Sequence, residues 1–237
     1  MLKALLWKEW REQRWRMVLA TVWLLGMSAI GLKTRVLPDA AIIVMIWAPT
    51  AIILPTFLGM GLFASERKAG TLPFLMVQPV KRGSVLAAKV MVGLLAYLAP
   101  MALGGLVLCL AVGGRESSAA DLAAGIAVIA GFGAVLFAWQ FLAGLRCRKE
   151  ETYVLAGAIV LGGWIVHGLV VDDWYLTQRL GQWVWDVNPI AIVALIDAWE
   201  ARLPREVWTV AVVQSLIVMG LGVGLWFRFR RLRESRS

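Results

Sequence analysis

Charge is scarce in this chain. Asp, Glu, Lys and Arg make up 16% of its 237 residues, against about 25% in a typical soluble domain. A soluble globule is therefore excluded, and so is a disordered chain, which needs high charge and low hydrophobicity. There are two cysteines: Cys109 in an apolar run and Cys147 in a basic loop. That excludes a disulfide scaffold. Histidine occurs once, as His167. No H-E-x-x-H, C-x-x-C, G-x-S-x-G or G-x-x-x-x-G-K-[ST] is present. The chain thus has no metal site, no catalytic elbow and no phosphate-cradling loop of a known pattern. A buried hydrolytic dyad of Ser28, in Gly26-Met27-Ser28, with His167 is the one enzymatic alternative.

Hydrophobic residues are abundant, at 60%, with a mean hydropathy of +0.76. A helix needs about 20 apolar residues to cross a bilayer. Six runs are candidates: 17–32, 40–64, 84–112, 119–145, 152–171 and 207–227; the first, at 16 residues, must borrow from its flanks or thin the bilayer. None alternates as a barrel strand would, so the expected fold is all-α: a polytopic membrane protein with six transmembrane helices. The side holding residues 1–16, 65–83, 146–151, 228–237 and Lys89 carries 18 Lys/Arg and 6 Asp/Glu. The opposite side, including the outer segment 172–206, carries 6 and 9. By the positive-inside rule both termini face the cytoplasm. The net charge of +9 then marks topology and contact with anionic lipid, not nucleic acid. Nine of thirteen tryptophans fall near a predicted interface, as amphipathic rings prefer.

Residues 1–16 predict an amphipathic helix on the membrane surface. Leu2, Leu6 and Trp10 share its apolar stripe, with Trp7 and Arg11 toward the headgroups and Glu9 and Gln13 as intruders. Glu12 and Arg16 are spaced for an i,i+4 pair. Residues 65–83 predict a short apolar helix projecting into the cytoplasm. Gly70 ends the preceding helix, Thr71 caps the short one, Pro79 stops it and Ser84 caps the third span. Leu72, Phe74 and Leu75 expose apolar surface there, which needs either a partner or the bilayer to cover it. In the outer segment, Asn188-Pro189 starts a run too short to span, so a re-entrant or interfacial helix and a plain lid both fit. The span interiors hold almost no ionisable groups, which argues against an ion-coupled carrier.

The ordered set Glu66-Arg67-Lys68-Ala69-Gly70-Thr71-Leu72, Leu75, Pro79-Val80, Arg82 and Lys89 resembles the cytoplasmic loop of type-2 ATP-binding-cassette (ABC) exporter permeases. The opening LLWKEWREQRW is similar to that family's connecting helix. The resemblance implies the transmembrane subunit of a half-transporter in a bacterial plasma (inner) membrane. It would pair with a second permease, identical or sibling. A separate ABC ATPase would bind ATP and Mg, with no cofactor in this chain and no catalytic residue. Glu66, Arg67, Gly70, Thr71, Leu72, Phe74, Leu75, Pro79 and Arg82 would form or support the coupling helix, with Pro73 a departure that shortens it. A non-transport membrane anchor or sensor scaffold is the alternative.

Overall fold

The computed structural model describes residues 2–34, 42–68, 70, 82–112 and 119–146, together with scattered helical positions between 152 and 163 and between 212 and 223. Among them all regular structure is helical. Four elements carry the architecture: α1 (Leu2–Thr34), α2 (Ala48–Lys68), α3 (Arg82–Val112) and α4 (Ala119–Arg146). A π-helical turn, Ile43–Trp47, leads directly into α2. Three helical stretches are long and apolar enough to cross a membrane: Lys3–Lys33, Gly83–Val112 and Leu122–Gly144. The expected fifth and sixth spans and the segment 172–206 lie largely or wholly outside the described residues, as does the basic tail 228–237.

Contacts fix the helix directions. Glu9 meets Lys89, and Leu24 packs on Gly104, so α1 and α3 run parallel. Leu62 lies against Gly93 and Trp47 against Gly104, so α2 runs back against α3. Phe137 lies against Gly93 and Ile126 against Gly105, so α4 is also antiparallel to α3. The result is an up-down-up-down bundle. The start of α1, the end of α2, the start of α3 and the end of α4 share one end. Among the described residues, that end carries residues 2–16, Glu66–Lys68, Arg82, Lys89 and Arg146, all on or bordering the side that the sequence reads as cytoplasmic.

Lipid-like surroundings explain what faces outward. Trp15, Leu19, Trp23, Phe57, Met91, Leu103, Leu106 and Leu110 are all exposed, an apolar exterior that water would penalise and hydrocarbon would not. Inside, Trp47, Tyr97, Phe132 and Phe137 fill the centre with Leu24, Leu58, Leu62 and Met101. The threonine hydroxyls of Thr21, Thr50 and Thr56 donate to the carbonyls of Met17, Ile46 and Ile52, each four residues back. This satisfies them without water or another helix.

α2 and α4 approach closely at Gly133. Pro55 has no N–H, so the Ala51 carbonyl loses its usual helical partner. That carbonyl lies against Gly133, 2.6 Å from where a Cβ would stand. The Tyr97 hydroxyl fills the same space from α3 and donates toward the Ala130 and Ile129 carbonyls, at 3.1 and 3.4 Å. Only glycine admits both neighbours, the small-residue logic of membrane helix packing.

One expectation changes in detail. Residues 1–16 and the first span are a single helix, Leu2–Thr34, with no break at residue 16. Its first four turns do not bury a purely apolar stripe. Glu9 and Gln13, read from the sequence as intruders, are 2% exposed, whereas Trp7 is exposed and Leu6 and Trp10 are half-buried. For Glu9 the reason is a charged partner on α3, which no local pattern displays. Glu12 lies 3.7 Å from Lys8, while Arg16 donates to Gln13 at 3.2 Å.

Candidate functional site: the shared end of the bundle

Three helices meet at Lys89. Its ammonium Nζ donates to Glu9 Oε1 at 2.9 Å and to the Leu62 carbonyl at 2.8 Å. Lys89 is 1% exposed, two turns into α3. One cation therefore ties α1 and α2 to the start of α3. Lys8 stands 3.8 Å from the same Glu9 oxygen, on the half-exposed side. A buried charge is tolerated when paired and hydrogen-bonded, and both conditions hold for Lys89. Position 89 was legible in the sequence as part of the loop motif. Glu9 was not: the two are 80 residues apart, and the only hint was an acid inside an otherwise basic, apolar lead.

The residues expected to form or support a coupling helix are placed in part. Glu66 and Arg67 lie in the last turn of α2, which ends at Lys68. Gly70 follows with φ 65°, the left-handed conformation with which helices often terminate and which glycine adopts without a Cβ penalty. Gly70 thus ends the helix as expected. Arg82 opens α3, two residues before the expected cap Ser84. Thr71, Leu72, Phe74, Leu75 and Pro79 lie outside the described residues. The chain leaves α2 and enters α3 at the same end of the bundle, one to two turns beyond Lys89 and Leu62. The described structure therefore brings Glu66, Arg67, Gly70 and Arg82 to the end where α1 is pinned.

On the surface-helix set, Trp7 and Arg11 are exposed and Leu6 and Trp10 half-buried; the side chain of Leu2 lies outside the described residues. Ser28 is buried in α1 and accepts a hydrogen bond from the Trp47 indole N–H at 3.3 Å. Its candidate partner His167 lies outside the described residues. No group of three or more His, Cys, Asp or Glu able to hold a metal occurs among the described residues.

No protein-family model and no curated protein matches the chain.

Proposed function

We propose that this chain is the membrane-spanning subunit of an ATP-driven transporter of the type-2 ABC exporter kind, worked by a separate ATPase. It crosses the plasma membrane six times with both termini in the cytoplasm, and pairs with a second permease. One observation carries most weight. The connection bearing the Gly70–Arg82 motif leaves and re-enters the bundle beside the Lys89 junction of three helices. A push on that connection by an ATPase would therefore reach α1, α2 and α3 together, as a rigid-body switch requires. The paired state of Lys89 and Glu9 fits as well. Their charges serve helix packing, not the binding of a coupling ion, so the energy for transport would come from outside the chain. In this reading Leu72, Phe74 and Leu75 seat in a groove on the ATPase, with Glu66, Arg67, Thr71, Pro79 and Arg82 supporting them.

The test is association. The full chain, co-expressed with a candidate P-loop ATPase subunit from the same source, is expected to carry that ATPase through purification. Leu72→Asp combined with Leu75→Asp should abolish this while leaving membrane insertion intact. Undiminished association in the double variant would overturn the coupling role. A chain that captures no ATPase and supports no flux in vesicles would instead be an anchor or sensor scaffold.

A further inference from the structure

Between α1 and α2 an open-sided groove of about 510 Å³ runs along the outside of the bundle. Leu19 and Trp23 of α1 form one wall, and Ile53 and Phe57 of α2 the other. Met45 closes the end toward the π-helical turn and Arg16 stands at the opposite end. The lining is hydrocarbon nearly throughout. Its one hydroxyl, Thr50, already donates to the Ile46 carbonyl at 2.6 Å, so it asks nothing of an occupant. Arg16 differs from the other walls in kind. It is exposed, yet its Nη1 is steered by the buried Gln13 Oε1 at 3.2 Å.

Dimensions and charge together point to an occupant. From Arg16 to Met27 the groove follows α1 for eleven residues, about 17 Å at 1.5 Å per residue. One leaflet of hydrocarbon is about 15 Å deep, half of the usual core. The arginine lies at the basic end of the bundle, where the sequence places the cytoplasmic headgroups. A planar fork of donors at that level matches a phosphodiester.

We propose that this groove is a binding site for one anionic phospholipid of the cytoplasmic leaflet, its phosphate on Arg16 and one acyl tail between Trp23 and Phe57. The site needs only that α1 and α2 lie in a bilayer, and it stands whether or not an ATPase docks on the loop.

Photo-crosslinking of the full chain tests it. Benzoylphenylalanine replaces Ile53 in the groove or, as a control, Leu106, exposed on α3. The protein is reconstituted in phosphatidylcholine vesicles containing a minority of phosphatidylglycerol, and the adducts are read by mass spectrometry. At position 53, phosphatidylglycerol adducts should exceed their mole fraction about fivefold, the effect of roughly one basic residue at a membrane surface. Arg16→Gln should bring that ratio to about one, and Arg16→Lys should retain most of it. At position 106 the ratio should be about one throughout. The proposal is overturned if position 53 crosslinks to residues 152–237 of the same chain or to a second copy. Equal enrichment at 53 and 106, or enrichment indifferent to Arg16→Gln, overturns it too.

Discussion

Lys89 on α3 and Glu9 on α1 meet at 2.9 Å, with both side chains almost wholly buried. The pair fixes the lower part of α1 against the bundle, and the Leu62 carbonyl completes the lysine's shell at 2.8 Å. Breaking such a pair from one side strands a charge, which typically costs about 3–5 kcal/mol. Replacing both members by apolar groups of similar size is often neutral.

Lys89→Met is accordingly expected to lower stability by about 3–5 kcal/mol, measured as the shift in unfolding midpoint in detergent micelles. Glu9→Leu alone should also be strongly destabilising. The double variant should recover most of the loss. A double variant whose cost equals the sum of the two singles would mean that the charges do not act as a pair.

Gly133 gives the second prediction. A methyl group there meets the Tyr97 hydroxyl and the Ala51 carbonyl oxygen at once. The carbonyl is backbone and cannot swing away. Gly133→Ala should therefore cost about 1–3 kcal/mol, the usual penalty of overpacking. Adding Tyr97→Phe removes the nearer contact and should restore part of it. No loss of thermal stability in Gly133→Ala would mean that α2 and α4 sit further apart than described.

The third concerns Ser28, whose Oγ accepts from Trp47 at 3.3 Å. Ser28→Ala leaves a buried indole N–H without that acceptor, at a cost of about 1–3 kcal/mol. Ser28→Thr keeps an oxygen and should cost less. A serine nucleophile would behave differently: Ser28→Ala would abolish a peptide-cleaving activity while Ser28→Cys preserved some of it, and neither effect is expected.

Much of the fold was legible because hydropathy is a local property. The runs 84–112 and 119–145 became α3 and α4 almost residue for residue. The run 40–64 became the π-helical turn and α2, which extends four residues further, to Lys68. Gly70 could be read as a helix terminator from its residue type alone. The extent of α1 could not. Hydropathy counts Glu9 and Gln13 against burial, whereas in the folded chain a lysine 80 residues away makes Glu9 an interior residue. Nor did any pattern single out Gly133, because its role depends on a proline in α2 and a tyrosine in α3. The loop motif was visible only as an order of residue types, and the structure places its two ends but not Thr71 to Pro79. The groove on Arg16 needed both α1 and α2 in position before its walls existed.

The unbroken run of α1 from Leu2 to Thr34 has a mechanical consequence. Its two halves share one rotational phase, set at one end by Glu9 and at the other by Ser28. Inserting a single alanine after Arg16 would turn one half about 100° against the other, so that the salt link and the indole link could not both survive. Inserting seven residues nearly restores the phase but displaces one anchor by about 10 Å along the axis. The helix thus behaves as a gauge rod, whose length between its two anchors is as much a part of the design as the residues that hold it.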